Sequence, residues 1–89
     1  MKAIITVIGR DRTGIIAAVT TKLAAHQINV LDINQTVLQE YFTMIMLVDL
    51  AACQGSFEEV KGELAVLGEE MGMSIRVQHE DIFNAMHRV

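Results

Sequence analysis

Eighty-nine residues make one small domain with a single core and little surface for a second task. Hydrophobic residues are 52% of the chain and charged residues 20%, with a mean hydropathy of +0.37, which excludes intrinsic disorder. Seven Lys and Arg against eleven Asp and Glu leave a net charge of −4, so the chain lacks the basic field that would recruit nucleic acid.

From the amino end, Ala3 to Gly9 is β-branched almost throughout and apolar on both faces, the pattern of a central strand. This run is too short for a signal-peptide core or a membrane span. Gly9-Arg10-Asp11-Arg12-Thr13-Gly14 interrupts it, and the spacing of Ile15, Ile16, Val19, Leu23 and Ala24 then predicts a helix from about Thr13 to His26. Asp11 or Thr13 is expected to cap its first amides. From Asn29 the period becomes two. Val30, Asp32, Asn34, Thr36 and Leu38 are expected on one face of a strand, with Leu31, Ile33, Gln35 and Val37 on the other. Glu40-Tyr41 is a short connection to an apolar strand over Phe42 to Leu50, which predicts an antiparallel hairpin. Val60, Leu64, Leu67 and Met71 recur at helical steps after Phe57, and Gly72 stands where a C-cap glycine belongs. Met73 to His79 alternates as a fourth strand, and Ile82, Phe83 and Met86 mark a short amphipathic tail helix from Asp81 to Arg88.

No proline, low-complexity tract or composition break marks a linker, so residues 1–89 are expected to form one domain, a core over 1–79 with a tail over 80–89. The order β-α-β-β-α-β predicts an α+β, ferredoxin-like fold: a four-stranded antiparallel sheet with both helices on one face, plus the short C-terminal helix. Its other face would be bare. Because the first and third strands are apolar on both faces, the tail or a second copy of the chain must cover that surface, and a homodimer or higher homo-oligomer is expected.

Gly9 and Gly14 have the spacing of a phosphate-cradling loop, yet Ile15 and Ile16 follow where a nucleotide site needs Lys and a hydroxyl. What the residues support is a helix N-terminus behind a glycine turn, able to hold an anion as small as a carboxylate, beside the ordinary reading of a strand-to-helix turn. His26, His79 and His87 have no metal-ligand spacing and read as surface histidines, so neither a metal nor another cofactor is expected. The lone Cys53 lacks a resolving cysteine and a local cation, which argues for a packed thiol in a cytoplasmic protein rather than a nucleophile. Asp32 and Asn34 serve a polar ligand or simply guard an edge strand. With four aromatics in all and an acidic balance, the RNA-binding relative of this fold is a poor fit. No nucleophile, base pair or metal cluster can be assembled, so the chain is not expected to be an enzyme.

The run Val7-Ile8-Gly9-Arg10-Asp11-Arg12-Thr13-Gly14-Ile15-Ile16-Ala17, followed by Gln27-Ile28-Asn29-Val30-Leu31-Asp32-Ile33, resembles the ACT domain, a small regulatory module that binds amino acids. The tail from Glu80-Asp81-Ile82-Phe83 is similar to that of small ACT proteins like the glycine-cleavage repressor. The resemblance implies a non-enzymatic module that binds a small ligand, an amino-acid effector, between two subunits. It carries Asp11, Arg12 and Gly14 over as loop positions and Asn29 as an amide contact at the start of the second strand, and with these Thr13, Ile15 and Asp32 complete the expected ligand-binding set. Thr13 stands where many members have proline, and Gly9 where a serine-sensing member has histidine, so the effector itself does not carry over. The alternative expectation is a protein-interaction subunit, docking onto an enzyme or regulator through the apolar sheet face or the Ile82, Phe83 and Met86 ridge.

Overall fold

A computed structural model describes residues 1–53 and 55–81. Six elements follow in order: β1 (Lys2–Arg10), α1 (Ile15–Ala25), β2 (Asn29–Leu38), β3 (Tyr41–Asp49), α2 (Phe57–Met71) and β4 (Met73–His79). The strands form one antiparallel sheet in the order β2-β3-β1-β4. Both helices pack on one side, as the βαββαβ order predicts. The tail helix expected over Asp81 to Arg88 lies almost wholly outside the described residues.

Pairing registers sort the sheet into two faces. Ala3, Ile5 and Val7 of β1 stand opposite Val48, Met46 and Met44 of β3, and all six are buried beneath the helices. From above, α1 contributes Ile15, Val19 and Leu23, and α2 contributes Val60 and Leu64. Ile16 and Ala24, expected in this core, are exposed. At the α2 to β4 crossing Gly68 is buried, and a Cβ there would lie 2.7 Å from the Met73 carbonyl oxygen, so glycine lets the helix sit against the strand. The reverse face carries Ile4, Ile8, Ile45 and Leu47 with no element over them among the described residues. Ile8 is 49% and Ile45 40% exposed.

Boundaries differ from the periodic reading in ways that have local causes. The hairpin turn is Gln39-Glu40 rather than Glu40-Tyr41, with Gln39 at φ 56, and Leu38 pairs with Tyr41 to close it. In β2 the register shifts between Val30 and Asp32, leaving Leu31 as an extra residue. This bulge moves Val30 onto the helix side with Ile33, Gln35 and Val37, so it does not share a face with Asp32 as strict alternation required. Helix α2 begins as Ser56 Oγ accepts from the Glu59 amide and ends at Gly72 in the left-handed region, φ 69. Two of the expected surface histidines are half-buried instead. His26 meets Glu63 at 2.5 Å, and His79 stacks on Phe57 with ring centroids 4.0 Å apart. His87 lies outside the described residues.

Candidate functional site

The candidate site begins where β1 runs out. Arg10 is still paired with Tyr41, and the next amide, that of Asp11, donates to the Glu40 carbonyl at 2.7 Å. The loop is thereby fastened to the β2–β3 turn. Gly14 then takes φ 88 and serves as the N-cap of α1, with its carbonyl accepting from Ala18 at 2.9 Å. The helix therefore starts at Ile15, two residues later than its periodicity indicates. Neither Asp11 nor Thr13 caps it, since no side chain bonds to the cap and the first turn holds no acidic residue. Its leading amides, with their partial positive charge, face outward at the loop.

Asp11, Arg12, Gly14 and Ile15 line one surface depression of about 440 Å³, together with Ile16, Ala17 and Phe42. Four of the seven sequence-derived candidates are thus neighbours. Phe42 was missed because its place depends on pairing: it stands opposite Gly9, beside the loop, and its ring is buried. The lining combines apolar surface from Ile16, Ala17 and Phe42 with the unlike charges of Asp11 and Arg12. That combination suits a small zwitterion with an apolar portion.

Arg12 has a second role that no spacing rule reveals: its Nη1 donates to the Met71 carbonyl at 3.2 Å, where α2 ends. One guanidinium thus joins the loop to the far helix, meeting a carbonyl left over at a helix C-terminus. Gly14 owes its place to backbone geometry, because a Cβ there would meet nothing within 4 Å. Gly9 is the crowded glycine, with a Cβ position 2.5 Å from the Met73 sulfur.

Asn29 and Asp32 lie elsewhere. By register Asn29 stands opposite Asp49 and Asp32 opposite Leu47, on the reverse face of the sheet, with the Asp32 carboxylate accepting from the Ile33 amide at 2.9 Å. Along β3, Asp49 is eight residues from Tyr41, about 27 Å of strand. Asn29 and the Asp11 loop therefore occupy opposite ends of one protomer. Among the described residues no group of three or more His, Cys, Asp or Glu is arranged to hold a metal ion, and no helix is long and apolar enough to cross a membrane.

Comparison with known proteins bears on this geometry. An 89-residue UPF0237 protein of Clostridium acetobutylicum is 60% identical over the whole of both chains. The solved structure of an ACT domain protein from Streptococcus pneumoniae is 42% identical, with a TM-score of 0.81 over 98% of each chain. That of a candidate glycine cleavage system transcriptional repressor is 25% identical, with a TM-score of 0.72 over 86% of this chain and 44% of the other. The ACT-domain family model matches residues 2–78, from the first residue of β1 to the penultimate residue of β4, and so takes in the Asp11 to Ile15 loop: the chain belongs to the ACT-domain family.

Proposed function

We propose that the protein is a non-enzymatic, cytoplasmic regulatory module that binds a small amino acid at the interface of a homodimer. The observation that carries this reading is the clustering of Asp11, Arg12, Gly14 and Ile15 around one depression at the uncapped start of α1. Outward amides and Arg12 would take the effector's carboxylate, and Asp11 its ammonium, so that each charge of a zwitterion is answered. Thr13, between Arg12 and Gly14 in sequence, is not among the residues that line the depression, and its hydroxyl would reach the effector only from beside it.

Strand β2 supports the dimer. It is one of the two edge strands of the sheet, nine of its ten residues are exposed, and Asp32 is its only charged residue. A long, half-polar edge with a single charge is poorly guarded against pairing, and a partner strand would cover it. Antiparallel pairing of two β2 edges would set the Asn29 end of one chain against the Leu38 end of its partner. That end adjoins the Gln39-Glu40 turn, to which the Asp11 loop is bonded. Residues at opposite ends of one protomer would thus meet across the two-fold, twice per dimer, with Asn29 supplying a donor and an acceptor and Asp32 lying further along the same strand.

The test is isothermal calorimetry of the purified protein against each of the twenty amino acids, with light scattering to record its mass. Saturable heat from a small subset, on a dimer, is the expected result. Uniformly flat titrations with folded protein overturn the ligand, and a monomeric mass overturns the shared site.

A further inference from the structure

The outward side of the helix layer carries a second concavity, which touches the loop depression at Ala17 alone. On α1, Ala17, Thr21 and Ala25 recur every four residues and are all exposed, so one side of the seam is walled by small side chains. Across it α2 presents Gly62, Val66 and Leu67, with Val66 54% exposed and open space where a Gly62 Cβ would stand. Two depressions of about 520 and 450 Å³ run along this seam and share Lys22 and Leu67. Small residues on both helices let the axis of a third helix come near, and the apolar stripe rewards its burial.

Charge decides what kind of helix fits. Glu58, Glu59, Glu63 and Glu70 line the α2 side. Lys22, the one cation in the seam, lies 3.7 Å from Glu63 and is taken up in that pair. Helix α2 as a whole carries five glutamates and one lysine, a sum of −4, which equals the formal net charge of the entire chain. All other charges cancel. A second copy would press this acidic wall against itself, and an anionic membrane or a nucleic acid would be repelled in the same way.

We propose that the α1–α2 seam is a docking groove for a basic amphipathic helix of a different protein. Its apolar stripe would cover Val66 and Leu67, while Lys or Arg on its flanks would face Glu58, Glu59 and Glu70. Glu58 to Glu70 spans about 18 Å of α2, which a partner helix of roughly 12 residues would match. Docking here leaves the β2 edge and the charged residues of the loop uncovered and meets the loop depression at Ala17 alone, so it does not rest on the amino-acid site.

The experiment titrates the full-length, isotope-labelled protein with two synthetic amphipathic helices of about four turns, one built from Leu, Ala and Lys, the other from Leu, Ala and Glu in the same pattern. The lysine helix is expected to shift the amides of Thr21, Ala25, Gly62 and Val66, and the glutamate helix to leave them in place. Thr21→Trp, which fills the seam, and the double reversal Glu58→Lys with Glu70→Lys should each weaken binding by about tenfold or more, with circular dichroism and melting temperature unchanged. Shifts confined to the open sheet face or the β2 edge, equal response to both helices, affinity indifferent to both variants, or no response at millimolar peptide would each overturn the proposal.

Discussion

At the level of single residues, glycines separate two physical demands that look alike in the sequence. Gly14 and Gly68 both precede or sit within apolar helical stretches, yet one is required by its backbone angle and the other by lack of room. At Gly14 a side chain meets open space, and the cost arises from φ 88. Gly14→Val should therefore destabilise by about 1–3 kcal/mol, the usual cost of a branched residue held in that region, besides obstructing the proposed ligand site. Gly14→Ala is the cleaner probe of ligand binding, and comparing calorimetric affinity with chemical denaturation separates the two effects. At Gly68 the added methyl would lie 2.7 Å from a backbone oxygen, so Gly68→Ala must push α2 off β4 despite the better helix propensity of alanine. A loss of about 1–3 kcal/mol in denaturant melts is expected, and a gain would show that the crossing has slack. Burial of Gly68 was not legible beforehand, because its partner, the Met73 carbonyl, is brought near only by the chain's reversal at Gly72.

Elements were largely readable where one period ran without interruption. Helix α2 shows this: Val60 and Leu64 are buried, Leu67 and Met71 half-buried, and Gly72 caps the end. Leu64 is 1% exposed in the centre of the core, and Leu64→Ala should cost about 2–5 kcal/mol by urea denaturation. A loss under about 1 kcal/mol would mean that the core collapses around the gap. Interruptions defeated the pattern. The bulge at Leu31 changes which residues of β2 share a side, and nothing in an alternating run of ten residues announces it. Likewise the start of α1 was placed too early because Thr13 and Asp11 are good capping residues, whereas the chain uses the left-handed conformation of Gly14. For the candidate site, the loop residues were found together because they are contiguous. Phe42 and the link from Arg12 to Met71, 59 positions apart, depend on pairing and crossing that no local spacing encodes.

Taken as a whole, the described residues leave one sheet face covered and one open, and β2, paired with β3 on one side, has no strand along its outer edge. These two surfaces predict different assembly steps. Ile33→Lys with Val37→Lys places like charges along the β2 edge and, if the proposed dimer forms there, should give a monomeric mass in light scattering and weaken the proposed amino-acid site. Ile8→Lys with Ile45→Lys acts on the open face and should remove only assembly beyond the dimer. If the edge variant stays dimeric while the face variant dissociates, the copies meet through the open face and the shared pocket built on β2 has no support.

The bond between Arg12 and the Met71 carbonyl ties these scales together. An effector carboxylate that captured the Nη1 donor now given to Met71 would free that carbonyl in the last turn of α2, and occupancy at the loop would then be reported as faster hydrogen exchange of the amides around Gly72. Such a trade makes a single side chain the messenger between two helices, and Arg12→Lys, which keeps the charge but loses the planar fork, should garble the message while the effector still binds.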